Sequence, residues 1–224
     1  MAVTGGGRTE VRVLLVDDDP LVRSGLRAIL DAADDVRVVG EASDGDEVVT
    51  AVQAHAPDVV LMDIRMRRTN GLDATASVRA LPRPPNIVVL TAFDLDRYVV
   101  AALRAGASGF LLKDAQPQQI IDGVRTVASG DAILSPGATR TLLDRFADPD
   151  AAERQRSAVQ ALARLRPRQG EVADLVARGR TNAEISRDLG LTESTVKAYV
   201  SEILSSLGLG NRVQVALTVR DAAG

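Results

Sequence analysis

The sequence predicts an α/β domain with a doubly wound parallel sheet of five strands, followed by a small all-α domain. Three observations predict this arrangement. Short apolar runs alternate with helix-like stretches over the first 130 residues, the middle of the chain lacks a strong apolar stripe, and short capped helices occupy the region after residue 162. A chain of 224 residues is long enough for two domains that each bury a core.

Five apolar and partly β-branched runs in the first half are typical of strands that are buried on both faces. Between them, apolar residues recur at helical spacing, as Leu26, Ile29 and Leu30 do after the first run. Because crossover connections are right-handed, this alternation favours a parallel sheet with helices on both faces. The predicted strands are residues 11–16, 36–40, 59–62, 87–90 and 110–112, and a fifth helix over residues 118–128 ends the domain.

After residue 162 the pattern changes to short helices with recognisable caps. Pro167 suits the first position of a helix, and Thr181 with Glu184 forms a capping box at the start of the next one. Thr192 opens a third helix, and Asn211 caps a last one. Helices joined by a tight turn that contains glycine are typical of a helix-turn-helix domain. By spacing alone, four short helices could equally form an interaction bundle.

Composition excludes several classes of chemistry and of location. The chain has no Cys and a single His, His55, which excludes disulfides, thiolate sites, zinc sites of the usual kind and a Ser/His triad. Residues 1–10 lack the apolar segment of a signal peptide, and no run approaches the roughly 18 apolar residues of a membrane span. We therefore expect a cytoplasmic protein with no membrane partner.

Charge differs between the two halves of the chain. Residues 1–130 carry an acidic excess and residues 162–224 a small basic excess, which is compatible with cation binding in the first half and nucleic-acid binding in the second. Almost all basic residues are Arg, and the two lysines are Lys113 and Lys197. Because Lys carries a compact ammonium group, these two positions are candidates for binding sites.

Polar side chains follow four of the predicted strands. Asp17 and Asp18 follow the first strand, Asp63 the third, Thr91 the fourth and Lys113 the fifth. In a doubly wound sheet these strand ends share the crevice that binds ligands. Carboxylates that converge repel each other unless a cation joins them, and oxygen ligands without His or Cys favour Mg²⁺. A hydroxyl and an ammonium beside the metal suit a phosphoryl group, and Asp63, alone on the central strand, is the candidate nucleophile.

Four motifs in the first half resemble the receiver domain of bacterial two-component response regulators. The resemblance implies a flavodoxin-like fold in which Asp63 accepts a phosphoryl group from a sensor histidine kinase. It also implies that Asp18, Asp63 and the main-chain carbonyl of Arg65 bind Mg²⁺, while Asp17 supports the waters of the metal. The motifs are VDDDP (residues 16–20), VVLMDIRM (59–66), VVLTAF (88–93) and GFLLKD (109–114).

The same resemblance implies roles for three further residues. Thr91 and Lys113 would contact the phosphoryl oxygens. Phe110 stands at the position of the switch aromatic, which in this family moves inward as the Thr hydroxyl turns toward the phosphate. Residues 67–71 depart from the family, because they read RRTNG where a Pro followed by Met-Asp-Gly is usual. This difference makes the loop more cationic. It also keeps open the alternative that the protein is a regulator that binds DNA without being phosphorylated.

The third helix of the second half has two different faces. One face is an apolar stripe. The face opposite this stripe carries small polar side chains and one basic residue, which suits a helix that enters a major groove. Residues 165–217 resemble the LuxR-type DNA-binding domain of NarL/FixJ-type regulators, and TESTVKAYV (residues 192–200) is the most specific part. The apolar stripe of the helix is formed by Val196, Val200, Ile203, Leu204 and Leu207.

This second resemblance implies contacts with DNA and with a second copy of the chain. Lys197, Ala198 and Ser201 occupy base-facing positions of the family, and Thr195 occupies a position that contacts the DNA backbone. Two copies would form a homodimer that reads an inverted repeat. The residues that match the dimer contact are Val213, Ala216 and Leu217.

Together these patterns predict a receiver domain over residues 10–130, a linker over residues 131–161 and a LuxR-type helix-turn-helix domain over residues 162–224. We expect a phosphorylation-controlled transcription regulator, not an enzyme. Phosphorylation would either relieve contacts that cover the DNA-reading helix or favour dimerisation. A Mg²⁺-dependent phosphohydrolase is a second hypothesis, because Asp17 and Asp19 mimic a D-x-D motif. Leu21 stands where that motif requires Thr, and the second half would remain unexplained.

Overall fold

A six-stranded sheet forms the first half of the molecule. The computed structural model describes residues 10–91, 95–144 and 151–223. The strand order is β2-β1-β3-β4-β5-β6, and every pairing is parallel. The order changes direction beside β1 and β3, where doubly wound sheets bind ligands. The strands are β1 (Val11–Val16), β2 (Val36–Ala42), β3 (Val59–Asp63), β4 (Asn86–Thr91), β5 (Gly109–Leu112) and β6 (Ile133–Leu134).

Five helices cover the two faces of this sheet. Residues of α1 and α5 pack on one face, and residues of α2, α3 and α4 pack on the other, so that each face has its own apolar cluster. We call the sheet with these five helices the sheet domain; its predicted α/β class is confirmed. The helices are α1 (Pro20–Leu30), α2 (Val48–His55), α3 (Gly71–Arg79), α4 (Leu95–Ala105) and α5 (Pro117–Ala128), with a 3₁₀ turn at Gly45–Glu47 before α2.

The prediction of five strands is wrong by one. The sixth strand, β6, pairs with β5 so that Ile133 lies opposite Gly109 and Leu134 opposite Phe110. A strand of two residues has no alternation to detect, which is why the sequence pattern does not reveal it. It lies within residues 131–161, the segment expected to be a linker.

Helices make up the rest of the described chain. The helices α8 to α11 share a third apolar cluster, and we call them the helical domain. The predicted caps are present: the Thr181 hydroxyl accepts from the Glu184 N–H at 3.2 Å, and the Thr192 hydroxyl accepts from the Thr195 N–H at 3.2 Å. The helices are α6 (Pro136–Asp144), α7 (Ala151–Leu162), α8 (Pro167–Ala177), α9 (Asn182–Leu189), α10 (Glu193–Leu207) and α11 (Arg212–Ala223).

Within residues 10–91, 95–144 and 151–223, none of the helices combines the length and apolarity of a membrane span.

Gly71, the first residue of α3, is packed directly against β3. A Cβ atom added there would lie 1.9 Å from the main-chain oxygen of Asp63. Because the Gly71 N–H donates to the Ile64 carbonyl at 2.8 Å, the helix start cannot move away without losing that bond. Gly25 in α1 provides the contrast, since a Cβ atom there would meet no heavy atom within 4 Å.

We therefore expect Gly71→Ala to lower the free energy of unfolding of the sheet domain by about 1–3 kcal/mol, the usual cost of overpacking. Gly25→Ala should raise it by up to about 1 kcal/mol, because alanine is the better helix former. Urea denaturation followed by circular dichroism measures both changes. Equal effects of the two substitutions would contradict the close contact at Gly71.

Candidate functional site

Three aspartates meet at the carboxyl ends of β1 and β3, and we call them the acidic cluster. Asp17 and Asp63 are almost fully buried, with 1% and 5% of their surface exposed, and Asp18 is half-buried. One carboxylate oxygen from each residue lies within 4.8 Å of the other two. Mutual repulsion makes such a group unfavourable on its own, and a bound cation relieves it. Its oxygen ligands are of the kind that Mg²⁺ prefers.

Lys113 contributes the positive charge closest to the acidic cluster. Its Nζ lies 2.6 Å from Asp17 Oδ2 and 3.1 Å from Asp63 Oδ2. Burial raises the pKa of Asp63, the charge of Asp17 adds to this, and the charge of Lys113 opposes it. Burial acts to lower the pKa of Lys113, but the hydrogen bond to Asp17 and the charge of Asp63 outweigh it, so that the pKa is raised. Lys113 therefore stays cationic at neutral pH.

Two further predicted residues lie on the strands next to the cluster. Thr91 is buried at the end of β4, between β3 and β5, and its carbonyl accepts from the Lys113 N–H at 2.9 Å. Phe110 is fully buried on β5 and belongs to the apolar cluster on the α2–α4 face. Arg65 is exposed two residues beyond Asp63, in the loop that joins β3 to α3. The predicted residues thus lie at one edge of the sheet, except Phe110, which lies in the apolar cluster between the sheet and the helices on one face.

Asp19 has a different role from its neighbours. Its Oδ1 accepts from the Leu21 N–H at 2.8 Å and so caps α1. The acidic cluster contains Asp17 and Asp18 but not Asp19. The pair of aspartates on which the phosphohydrolase hypothesis rests is therefore divided between a cluster and a helix cap.

Sequence patterns missed two contacts beside the cluster. Arg67 Nε lies 3.3 Å from Asp18 Oδ2. Asp44, which is buried after β2, accepts hydrogen bonds from the main chain of the β3–α3 loop. The unusual loop sequence singles out Arg67, but no local pattern pairs it with Asp18 or brings Asp44 to the same loop.

The predicted DNA-reading side chains lie on α10, and two of them, Lys197 and Ser201, face the sheet domain. Lys197, Ala198 and Ser201 are exposed, and the Thr195 hydroxyl lies 2.8 Å from the Thr192 hydroxyl at the start of the helix. A cleft of about 660 Å³, the interdomain cleft, separates α10 from the sheet domain. Lys197 and Ser201 line it on one side, and Arg79, Asn86 and Ser108 line it on the other.

A buried arginine joins the two domains beside this cleft. Arg212, which is 8% exposed, forms an ion pair with Asp131 and donates to the Gly130 carbonyl at 3.2 Å. Asn182 in α9 adds two bonds, because its N–H donates to Asp131 at 3.2 Å and its Nδ2 to the Ser129 carbonyl at 3.0 Å. Burial lowers the pKa of Arg212, and the charge of Asp131 opposes this shift.

The last helix, α11, packs against α4. Asn211 Nδ2 donates to the carbonyls of Leu103 at 3.0 Å and Ala107 at 2.7 Å. Val213 is a member of the apolar cluster that includes Phe110, and Leu217 packs against the same cluster. Ala216 packs in the cluster of the helical domain instead. Two of the three predicted dimer residues are therefore engaged with the sheet domain in this conformation.

Comparison with known families agrees with both halves. Residues 13–125 match the response regulator receiver domain, and residues 163–219 match the bacterial regulatory proteins of the luxR family. The chain belongs to the NarL/FixJ family of response regulators. Family membership makes it a phosphorylation-controlled DNA-binding transcription regulator, not an enzyme. The receiver domain implies a histidine kinase partner, and receiver domains bind Mg²⁺ through acidic residues such as those clustered here.

Similar NarL/FixJ proteins match over nearly the whole chain. The transcriptional regulatory protein YxjL of Bacillus subtilis is 37% identical, covering 94% of this chain and 95% of that protein. The nitrate/nitrite response regulator NarL of Escherichia coli is 35% identical, covering 92% and 94%. Among solved structures, the response regulator ChrA of a heme-sensing two-component system is 34% identical, with a TM-score of 0.53 and coverage of 96% and 98%.

The raised pKa of Asp63 gives a prediction for the metal-free protein. A carboxyl group whose pKa is higher in the folded than in the unfolded chain destabilises the fold above the folded pKa. That destabilisation declines as the pH falls toward the ordinary pKa of an aspartate. Asp63→Asn should therefore raise the melting midpoint of the sheet domain by several degrees at about pH 7.5 in EDTA, and the gain should shrink as the pH is lowered toward about 4.5.

Thermal denaturation followed by circular dichroism at the two pH values measures this gain. Asp114→Asn is the control, because Asp114 is exposed and lies next to Lys113 without belonging to the acidic cluster. It should leave the midpoint unchanged at both pH values. A midpoint for Asp63→Asn that is lower than that of the wild type at about pH 7.5 would contradict the burial argument.

Proposed function

We propose that Asp63 accepts the phosphoryl group from a sensor histidine kinase. The observation that carries the proposal is the convergence of three carboxylates and one ammonium at the end of the central strand. An Asp63 oxygen would attack the phosphorus of a phosphohistidine, so that a P–O bond forms, the P–N bond breaks and the leaving imidazole takes up a proton. Lys113 and Thr91 would then contact the equatorial oxygens of the transferred group.

Asp18, Asp63 and the main-chain oxygen of Arg65 would hold Mg²⁺, with Asp17 supporting its waters. Bound Mg²⁺ would supply charge neutralisation for the carboxylates and for the incoming phosphoryl group. Lys113, which already pairs with Asp17 and Asp63, would keep the other side of the same crevice positive. The charge of Asp63 would then be balanced by Mg²⁺ and by Lys113.

The route from the phosphorylated site to DNA would run through the packing of α11 on α4. Phe110, the predicted switch aromatic, shares an apolar cluster with Val213 of α11. Asn211 holds the end of α4 by two hydrogen bonds. Because Thr91 and Phe110 lie on β4 and β5, the strands that flank α4 in the chain, a rearrangement there would disturb the surface that holds α11.

Release of the helical domain would expose two surfaces together. In the closed arrangement Lys197 and Ser201 line a cleft whose volume is typical of a small-molecule pocket, far too small for a duplex. Val213 and Leu217 are covered as well. Once released, Lys197, Ala198 and Ser201 would contact base edges and Thr195 the DNA backbone. Val213, Ala216 and Leu217 would join two copies on an inverted repeat, in the cytoplasm where the DNA is.

Labelling with acetyl phosphate and Mg²⁺ tests the phosphorylation. We expect stable labelling of the wild type, no labelling of Asp63→Asn and full labelling of Asp114→Asn, the exposed aspartate beside Lys113. No labelling of the wild type would favour the regulator that acts without phosphorylation. Continuous turnover of the phosphate donor without stable labelling would contradict Asp63 as a stable acceptor.

Opening of the closed arrangement gives a second prediction. Asp131→Ala removes the partner of buried Arg212, which is costly in the closed form and harmless once both groups reach water. The unphosphorylated variant should bind DNA at least about tenfold more tightly than the unphosphorylated wild type. The probe is DNA selected from a random pool by wild type treated with acetyl phosphate, and affinity is measured by fluorescence anisotropy.

Lys197 is tested in the same background. Adding Lys197→Met to Asp131→Ala should weaken binding by about tenfold, the value of one good base contact. Arg140→Met, which removes an exposed positive charge from α6, should change affinity little. If Asp131→Ala binds no better than the wild type, the domains do not occlude the reading helix. If Lys197→Met and Arg140→Met weaken DNA binding equally, Lys197 contributes only its positive charge and not a specific base contact.

A further inference from the structure

A buried carboxylate outside the acidic cluster holds the β3–α3 loop, residues 64–70. Asp44 Oδ1 accepts from the N–H groups of Gly45 and Thr69, each at 2.8 Å. Its Oδ2 accepts from the N–H groups of Arg67 at 3.1 Å and Arg68 at 2.9 Å. Three consecutive amides of the loop are thus fixed by one side chain from the end of another strand.

The environment of Asp44 shows that these bonds are strong. Only 2% of the residue is exposed, and burial of a carboxylate is unfavourable unless hydrogen bonds replace its water. Burial acts to raise the pKa of Asp44, but the amides of Thr69, Arg68 and Gly45 outweigh it, so that the pKa is lowered. The carboxylate is therefore ionised and fully hydrogen-bonded at neutral pH.

The loop is also held at its base and from outside. The Gly71 N–H donates to the Ile64 carbonyl at 2.8 Å, which closes the base. Outside, the Arg68 guanidinium lies 2.7 Å from Glu47 and 3.0 Å from Asp46, two acidic residues of the turn that follows Asp44. The loop segment that contains Arg65 therefore lies between two fixed points.

The unusual loop sequence explains one of these bonds. Proline, which is usual at position 67 in the family, restricts φ but has no N–H group. Arg67 leaves φ freer but supplies the N–H that donates to Asp44. In this chain a hydrogen bond thus provides the restraint that the proline ring would otherwise give.

We propose that Asp44 is a positioning residue of the phosphorylation site, which fixes the β3–α3 loop so that the main-chain oxygen of Arg65 is in place to bind Mg²⁺. This inference rests on the proposed function, because it concerns the same metal. Asp44 does not touch the metal or the phosphoryl group. It acts through the main chain of residues 67–69, which lie directly beyond Arg65.

The test compares Asp44→Asn with Asp46→Asn in the full chain. Asparagine keeps the shape and one acceptor oxygen of Asp44, but its NH₂ group cannot accept, so that two of the four N–H groups lose their acceptor in either orientation of the amide. Asp46 is partly exposed and contacts the side chain of Arg68, not the loop main chain. Two quantities are measured well below the melting midpoint: the Kd for Mg²⁺ by calorimetry, and hydrogen exchange of the amides of residues 65–70.

We expect Asp44→Asn to weaken Mg²⁺ binding by about tenfold, as loss of a supporting contact commonly does, and to speed exchange of the loop amides. Asp46→Asn should change the Kd by less than about twofold, since exposed ion pairs contribute little. Arg67→Pro added to Asp44→Asn should restore part of the affinity, because the ring restrains the same residue. A purely structural role would lower the melting midpoint and leave the Kd unchanged, without rescue.

Two outcomes overturn different claims. If the wild type binds Mg²⁺ and Asp44→Asn binds it equally well, the positioning role fails while the proposed function stands. If the wild type binds no Mg²⁺ at millimolar concentration, the proposed metal site fails and the positioning role fails with it.

Discussion

The burial of like charges at one edge of the sheet is the constraint on which the rest of this structure depends. Asp17 and Asp63 are almost fully buried and, with Asp18, bring three carboxylates within a few ångströms of each other. The strand order forces this meeting, because β1 and β3 are neighbours and both end there. Lys113, which directly follows β5, pairs with Asp17 and Asp63, but burial still raises the pKa of Asp63. Because the three carboxylates repel each other, binding of an added cation at this site is favourable. The charge balance of the site changes when a phosphoryl group is transferred to one carboxylate.

The closed arrangement connects that charge balance to the second half of the chain. The helical domain, whose helices share one apolar cluster, carries both the predicted DNA-reading helix α10 and the predicted dimer helix α11. The sheet domain faces α10 across the interdomain cleft and contacts α11 through α4. Under the proposed function, relief of occlusion and dimerisation, which look like alternatives in the sequence, would be two consequences of one separation. The buried ion pair of Arg212 and Asp131 would favour an all-or-none separation, because a partly opened interface would leave a buried charge without its partner.

Features that depend on local pattern could be predicted from the sequence, and features that depend on long-range pairing could not. The first five strands and the caps at Thr181 and Thr192 follow from apolar runs and short-range hydrogen bonds. The meeting of the aspartates with Lys113 follows from the rule that parallel strands end at one edge. The ion pair of Arg212 with Asp131 joins residues 81 positions apart, and the Asp44 bonds span 23 to 25 positions. Neither separation leaves any periodicity in the chain. The strand β6 is missed for another reason, because two residues are too few to alternate.

The altered loop beside Asp63 shows why a departure from a family pattern has to be judged in three dimensions. In the sequence, the loss of proline after Asp63 removes a restraint on φ and keeps open a regulator that acts without phosphorylation. In the structure, the residue that replaces it donates its N–H to Asp44, and the two residues that follow do the same. A chain that no longer needed a defined loop would have no reason to keep a buried carboxylate there, because burying that charge without hydrogen bonds is costly. The bonds from Asp44 therefore favour a loop that is still held in a defined conformation, as the proposed phosphorylation of Asp63 would need.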